Sequence, residues 1–407
     1  MKILIVSQYF WPENFQINHL VLGLKEKGHR ITVLTGIPNY PGGRFYPGYG
    51  IFKRTHEDYQ GIEIVRVPLV PRGKGGGIRL ALNFLSFAFF ASLLAPLRRL
   101  GAFDLIFVYE PSPITVGLPA LVLKKLKSAP IIFWVQDLWP ESISAAGGIK
   151  SRFIYKQTEK LVRYIYGRCD LILVQSKAFV NSIVRLGIAD GIIRYFPNSA
   201  EDFYRPVERP TDEFINGLLP EGFLVMFAGN IGVAQDFDTM LDAVEILRDY
   251  KDIHWIILGD GRMNTHLKKQ VSERRLDGNV HLMGKYPAKA MPYFFAVADV
   301  LFVSLKKNPI FALTVPAKLQ SYFACARPVI AALDGEGARI VEESKAGYAC
   351  PSENPKALSE AVVKMYLLTE EERKGMGMRG RQYFDCHFEQ KKLLDDLETW
   401  AKLLVGK

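Results

Sequence analysis

A chain of 407 residues exceeds the size at which one hydrophobic core stops growing, so two domains are expected. Its 49% hydrophobic and 23% charged content lets each half bury a core and excludes bulk disorder. The net charge of +10 is uneven, since residues 1–200 hold 25 Lys+Arg and 12 Asp+Glu while residues 201–407 hold 27 and 30.

The opening run MKILIVSQYF does not read as a signal peptide. Its apolar stretch stops at Val6, and Gln8, Pro12 and Glu13 follow where that stretch should continue. Residues 2–7 read instead as a buried strand. Further strands are predicted near 30–35, 62–67, 104–108, 131–135, 171–174 and 193–196, with helical patterns between them. That alternation is the signature of a parallel sheet with crossover helices. Gly28 ends a helix running from about Asn18, because glycine takes the left-handed conformation after a helix without steric cost. Ser176 is placed to cap the next helix. Residues 38–50, rich in Pro, Gly and Tyr, form a loop of the length that usually serves function or motion.

From Leu80 to Leu97 the chain reads LALNFLSFAFFASLLAPL, with Arg79 before it and Arg98 and Arg99 after it. As a helix it reaches ~27 Å, short of the ~30 Å core of a bilayer, and the alternation requires a helix here. A helix this apolar is either buried or half in lipid. The arginine flanks and the basic first half favour shallow docking on anionic lipid.

The alternation breaks over residues 199–222, which carry Pro206, Pro210 and Pro220 and read as a linker. It restarts with strands near 223–227, 253–258, 279–282, 300–303 and 329–331. Two α/β domains of the doubly wound, Rossmann-like kind are therefore predicted, over residues 1–200 and 201–388. A last helix, within 389–407, is expected to cross back onto the first. Ligands of such sheets sit beyond the carboxyl ends of the strands, which puts the site in a cleft between facing domains. The four cysteines, Cys169, Cys325, Cys350 and Cys386, lie too far apart for a zinc motif and suit a reducing compartment.

The second half opens with LVMFAGNIGVAQDFDTMLDAVEIL, a strand running into Gly229-Asn230-Ile231-Gly232 and then a helix. Glycines at such a turn let backbone amides approach a phosphate, and the helix start adds partial positive charge. Asp236 and Asp238 spell D-x-D, but two acids opening a helix serve as cap and dipole partners, so no metal site is assigned. Later come Gly259-Asp260-Gly261 after a strand, His281-Leu282-Met283-Gly284, and a helix over VPAKLQSYFACA entering the PVI strand.

In order and spacing these elements resemble glycosyltransferase family 4, and the resemblance covers nearly the whole chain. The runs Ser7-Gln-Tyr-Phe-Trp-Pro-Glu-Asn-Phe, Pro38-Asn-Tyr-Pro-Gly and Trp134-Val-Gln-Asp137-Leu-Trp-Pro-Glu141-Ser look like one branch of that family. Its members build bacterial O-antigen and capsule repeats and include N-acetyl-L-fucosaminyl transferases acting on polyprenyl-diphosphate sugars. The resemblance implies a GT-B fold and a UDP-sugar donor held by the second domain. It also implies a lipid-linked saccharide acceptor held by the first, no metal or other cofactor, and a place on the inner face of the cytoplasmic membrane. The pattern departs in two places. The first glycine turn carries Asn230 and Gln235 where the family has Arg and Lys, and Leu313 and Ser321 stand where it has a pair of glutamates.

Lys318, following Pro316 at a helix start, is the expected partner of the diphosphate, with Lys306, Lys307 and Arg339 behind it. Gly229, Asn230, Gly232, Gln235, Gly259 and Gly261 complete the donor turns. Gly284, Lys285 and Tyr286 are expected beside the uracil, and Ser321 and Tyr322 beside the ribose. Asp137, flanked by Trp134, Trp139 and Pro140, has two readings: a base for the acceptor hydroxyl, or a helix N-cap. Glu141 is its understudy. Glu13, Asn14, Asn39, Tyr40, Glu110 and Trp139 are expected to line the acceptor site. A phosphorylase or epimerase with the same cleft is the competing enzyme class. A nucleic-acid-binding role is set aside because no such motif accompanies the charge.

Overall fold

The computed structural model describes residues 1–73, 76–97, 100–142, 151–209 and 217–406. The chain divides into two compact units, Met1–Pro197 with Gln390–Lys407, and Asn198–Glu389. Of the sequence features above, Arg98, Arg99 and Pro210 lie outside the described residues.

The first unit is built on an eight-stranded sheet of order β3-β4-β2-β1-β5-β6-β7-β8. Its strands are β1 Lys2–Val6, β2 Arg30–Gly36, β3 His56–Tyr59, β4 Ile62–Val67, β5 Leu105–Glu110, β6 Ile131–Val135, β7 Leu171–Val174 and β8 Ile193–Tyr195. All pair in parallel except β3, which runs antiparallel to β4 at the edge. The polar sequence of β3, HEDY, hides it from a hydrophobicity-based reading. Helices α1 Gln16–Glu26, α2 Gly77–Leu94, α3 Gly117–Lys127, α4 Arg152–Tyr166 and α5 Phe179–Arg185 follow their strands. Gly28 takes φ +86° after α1, and the His29 amide donates back to the Leu24 carbonyl at 3.2 Å, as a glycine stop requires.

The second unit carries six parallel strands in the order β11-β10-β9-β12-β13-β14. They are β9 Phe223–Ala228, β10 Ile253–Leu258, β11 Val280–Gly284, β12 Val300–Ser304, β13 Val329–Ala332 and β14 Gly347–Cys350. The last was not predicted, because Gly and Ala dilute its apolar signal. Alternate residues of β9 feed the two faces: Val225 and Phe227 join one core, Leu224 and Met226 the other. Both faces are thus covered, by α6 Phe237–Ile246, α7 Asn264–Glu273, α8 Met291–Val297, α9 Pro309–Leu313, α10 Ala317–Ala324, α11 Glu336–Ser344, α12 Pro355–Tyr366 and α13 Glu370–His387.

The final helix, α14 Gln390–Val405, belongs to the first unit. Its Leu393, Leu394, Leu397 and Ala401 share a core with Leu20 and Leu24 of α1. The contact is close: a Cβ on Gly23 would stand 2.4 Å from Leu394 Cδ1, so the leucine end would have to shift. Lys27 at the end of α1 adds ion pairs to Asp395 and Glu398.

Candidate active site

In each sheet the strand order reverses beside the first strand of the unit, between β1 and β5 and between β9 and β12. Such reversal points leave a crevice at the carboxyl ends of the strands where ligands bind. Polar residues gather there in both units.

In the first unit, β5 ends at Glu110 and the chain leaving β6 carries Gln136, Asp137, Trp139 and Glu141. The register Glu110↔Val135 brings these segments side by side. Glu110 is fully buried, and neither carboxylate oxygen closes a hydrogen bond among the described residues. Buried polar atoms without a partner recur on the segments that follow β1, β5 and β6, at Gln8 Oε1, Thr115 Oγ1, Gln136 Nε2, Trp139 Nε1 and Glu141 Oε2. All but a few buried polar groups in folded proteins are paired, so a cluster of orphans at the carboxyl edge marks a place for a polar ligand. Desolvation lifts the Asp137 carboxyl to about 7, in the range where a carboxylate can act as base near neutral pH. No hydrogen bond from a backbone amide reaches it among the described residues, so the geometry offers nothing to the N-cap reading.

Two acceptor-side expectations change. Asn39 is buried with its groups already used. Its amide donates to Glu13 Oε1 at 2.7 Å, its Nδ2 to the Ile37 carbonyl at 3.0 Å, and its Oδ1 accepts from the Arg72 amide at 3.1 Å. Glu13 Oε1 also accepts from the Tyr40 amide at 2.6 Å, and burial lifts its carboxyl to about 7. Asn39 and Glu13 therefore hold the 38–43 loop in place rather than reach outward. Trp134 likewise belongs to the core, where its indole N–H donates to the Phe196 carbonyl at 2.9 Å. Asn14 is exposed. Tyr40 is 38% exposed, stacks beneath the Arg72 guanidinium and adjoins Tyr9 and Phe15. Tyr9 and Phe15 were not singled out in the sequence. Their place beyond β1 was the available signal.

In the second unit, the turns after β9 and β10 are packed on each other. A Cβ on Gly259 would stand 1.8 Å from the Gly229 carbonyl oxygen, and one on Gly261 2.2 Å from that of Ile231. Backbone packing alone thus requires these two glycines. Gln235 spends its Oε1 on the Gly232 amide at 3.0 Å, so it braces the turn instead of replacing a cation. Asn230 is exposed at the same turn.

Lys318 lies one residue inside α10, and its ammonium sits 4.8 Å from the Phe227 ring centroid, above Gly229. It has no ion pair among the described residues, and burial alone lowers its pKa to about 8. Arg339 is instead consumed by Glu336 at 2.8 Å and by Glu343. Lys306 is tied by its backbone amide to the Ala234 carbonyl, beside the turn, and Lys307 by its amide to Glu353.

Tyr322 is a correction. It is buried in the core, and its hydroxyl accepts from the Ala228 amide at 3.2 Å and donates to the Phe302 carbonyl at 3.3 Å. Helical spacing turns it inward while the neighbouring Ser321 stays partly exposed. Gly284 takes φ +77° at the end of β11. Exposed Lys285 follows it, and half-buried Tyr286 packs on Phe294. Asp238 pairs with His266 at 3.1 Å.

Residues 14–199 match the glycosyl transferase 4-like domain family, and residues 222–367 the glycosyl transferases group 1 family. The chain is a glycosyltransferase. Its GT-B fold is shared with the Anabaena protein Alr3699/HepE, solved in complex with UDP, at a TM-score of 0.72 and 14% identity over 99% of this chain and 100% of that one. The transferase is also 27% identical to the probable glycosyltransferase WbjE of Pseudomonas aeruginosa, over 57% of this chain and 58% of that protein. It is 25% identical to WcaI of Escherichia coli, a putative colanic acid biosynthesis glycosyl transferase, over 80% and 81%. The glycosyltransferase families divide between the units: the 4-like match holds the carboxylate cluster and the group 1 match holds Lys318.

Proposed function

We propose that the transferase moves a sugar from a UDP-sugar to a saccharide carried on a polyprenyl diphosphate, in the assembly of a bacterial surface polysaccharide. The observation that carries this reading is the half-buried Lys318 ammonium, without an acidic partner among the described residues, at the start of α10 and over the β9 turn. A desolvated cation beside a helix N-terminus is suited to a diphosphate, and most of its energy is realised as the leaving group gains charge. The UDP in the HepE complex supports the choice of nucleotide. The polysaccharide role draws on the name of WcaI. The donor sugar we favour, N-acetyl-L-fucosamine or a related deoxy-amino sugar, rests on the sequence resemblance.

The step needs no metal in this proposal. The acceptor oxygen bonds the anomeric carbon while the bond from that carbon to the UDP oxygen breaks. UDP departs with the bonding pair toward Lys318, and Asp137 takes the hydroxyl proton. The unpartnered groups on the segments that follow β1, β5 and β6 offer both acceptors and donors, which suits a ligand rich in hydroxyls.

The lipid part of the acceptor places the enzyme at the inner face of the cytoplasmic membrane. Helix α2 supports this. It is long and apolar enough to cross a bilayer by length and composition, yet it packs on the unit through Asn83, Phe87, Ala88 and Ala91. On its other side Ile78, Leu82, Leu85, Phe89 and Leu93 form an exposed stripe, with Ile78 83% and Phe89 60% accessible. The basic first 200 residues complement an anionic bilayer under that stripe. Phe84, on the same helix, meets Trp139 with centroids 6.4 Å apart, which links the docking helix to the acceptor residues.

Thermal shift with UDP tests the donor. Ligand at 100 times Kd should add about 2.7 kcal/mol to wild-type stability, and Lys318→Ala should abolish most of that gain. No shift with UDP or any UDP-sugar would overturn the reading.

A further inference from the structure

Two arginines beside α2, Arg72 and Arg79, have no task in the mechanism above. Both lie along residues 70–73, the segment that leads from β4 toward α2, and hydrogen bonds fix that segment from two sides. On the α2 side, Asn83 donates through Nδ2 to the Val70 carbonyl at 2.6 Å, and the Ser86 hydroxyl accepts from the Val70 amide at 2.9 Å. On the acceptor side, the Arg72 amide donates to Asn39 Oδ1 at 3.1 Å and the Gly73 amide to the Gly43 carbonyl at 2.9 Å. Gly43 permits this approach, since a Cβ there would stand 1.8 Å from the Gly73 carbonyl oxygen. The half-buried Arg72 guanidinium lies over the Tyr40 ring, 4.8 Å from its centroid. Arg79, in the first turn of α2, folds back along the same segment. Its Nε donates to the Pro71 carbonyl at 3.1 Å, and a Cβ on Gly73 would stand 3.0 Å from its Cδ. Neither arginine forms an ion pair with a carboxylate among the described residues.

We propose that Arg72 and Arg79 bind the diphosphate that joins the acceptor saccharide to its lipid. The inference rests on the lipid-linked acceptor proposed above and adds where its charged linker sits. Ile78, next to Arg79, is 83% accessible and opens the apolar stripe of α2. Tyr40, beneath Arg72, stands on the acceptor loop. A diphosphate between a saccharide and a polyprenyl chain has to stay at the bilayer surface, because its charge cannot enter hydrocarbon without great cost. The 70–73 segment occupies that boundary, between the helix that meets lipid and the loop that meets the saccharide. Guanidinium forks match phosphate oxygens in pairs, which suits arginine to this ligand. Tyr40 is itself anchored, by its amide to Glu13 at 2.6 Å and by the Tyr46 hydroxyl donating to its carbonyl at 2.6 Å. It holds the Arg72 fork against its ring, so little freedom is lost when the ligand arrives. Phospholipid headgroups share the phosphate-ester chemistry, and the experiment separates the two sources.

Flotation of the full chain with phosphatidylcholine vesicles, carrying either a polyprenyl diphosphate or phosphatidylglycerol at matched charge, reads the choice. Wild type should bind the diphosphate vesicles more tightly. Arg72→Gln and Arg79→Gln should each weaken that binding roughly tenfold and leave binding to phosphatidylglycerol vesicles within about twofold, as expected for losing one charged hydrogen-bonding group. Arg72→Lys keeps the charge without the fork and should recover only part of the loss. With the lipid-linked acceptor, KM should rise in the glutamine variants while kcat stays near wild type. Equal loss on both kinds of vesicle would give the arginines to headgroups and overturn the proposal, and no loss on either would also overturn it. A wild type that shows no preference for diphosphate vesicles would bring down the lipid-linked acceptor as well. A preference that both glutamine variants retain would remove the arginines alone. The thermal shift with UDP should match wild type in every variant, which checks that the donor site is intact. If Arg72→Gln melts early, Arg72→Lys and Arg79→Gln decide.

Discussion

The ammonium of Lys318 lies over Gly229, so close that a Cβ at Gly229 would stand 2.7 Å from Lys318 Cε and 3.0 Å from Nζ. Gly229 also takes φ +140°, a conformation that side chains rarely adopt. The glycine at the end of β9 is what admits the cation to the mouth of the sheet. Gly229→Ala should therefore impair UDP binding by displacing Lys318. Lys318→Ala should lower kcat/KM by roughly 10²–10³-fold, the scale for losing one preorganised group on a leaving charge. Melting temperature checks that the fold survives, and near-normal kcat/KM in Lys318→Ala would remove the residue from the mechanism.

The free enzyme should show a narrow bell-shaped pH dependence of kcat/KM. Asp137 must be ionised to accept a proton, so activity falls as pH drops below about 7. Lys318 must be charged, so activity falls as pH rises beyond about 8. In kcat the alkaline limb should move upward, because bound diphosphate favours the charged lysine.

Asp137→Asn should cost activity and add stability. The folded-state pKa of Asp137 lies above its unfolded value, so the native chain binds the extra proton between about pH 4 and 7 and loses stability as pH rises through that window. Asparagine removes that penalty. A gain on the order of 1–2 kcal/mol at pH 8, allowing for partial exposure, together with a fall in kcat, is the signature of a strained base. Chemical denaturation at pH 5 and pH 8 measures it, and a loss of stability at pH 8 would contradict it.

Charges placed on the α2 stripe should release the enzyme from lipid. Leu85→Glu with Phe89→Glu should abolish sedimentation with anionic vesicles, while turnover of a soluble acceptor analogue remains. Binding by wild type should also weaken with salt. Equal sedimentation of variant and wild type would exclude α2 as the docking face.

Asn83 fastens α2 to the acceptor loops. Its Oδ1 accepts from Gln8 Nε2 at 2.7 Å, and its Nδ2 donates to the Val70 carbonyl at 2.6 Å. Asn83→Ala leaves the Gln8 amide buried and unpaired and frees the half-buried Val70 carbonyl, a loss of about 1–3 kcal/mol. Urea denaturation should report it, and raised KM for the acceptor should accompany it, since Asn39 in the same network anchors the 38–43 loop.

Much of the architecture was legible in the chain. The apolar runs of β1, β5, β6 and β9 are buried along their whole length or nearly so, and strands of that kind announce themselves. The strands that escaped, β3 and β14, are edge strands, where one side lacks a neighbour and polar or small residues suffice. In the candidate site, Lys318 and Asp137 could be picked out from residue type and position after a helix start or a strand end. Asn39, Gln235 and Tyr322 could not be separated from true ligand contacts in the same way.

The sequence by itself determined the alternation of strand and helix, the glycine turns and the chemical types available at each strand end. These are local matters of periodicity and backbone freedom. The tertiary structure decided which polar groups remain unspent, because the partners that satisfy them come from distant segments. Tyr322 is closed by the amide of Ala228, 94 residues earlier, whereas neither carboxylate oxygen of buried Glu110 finds a hydrogen-bond partner among the described residues. Burial has a cost set by such neighbours, and no reading along the chain contains them.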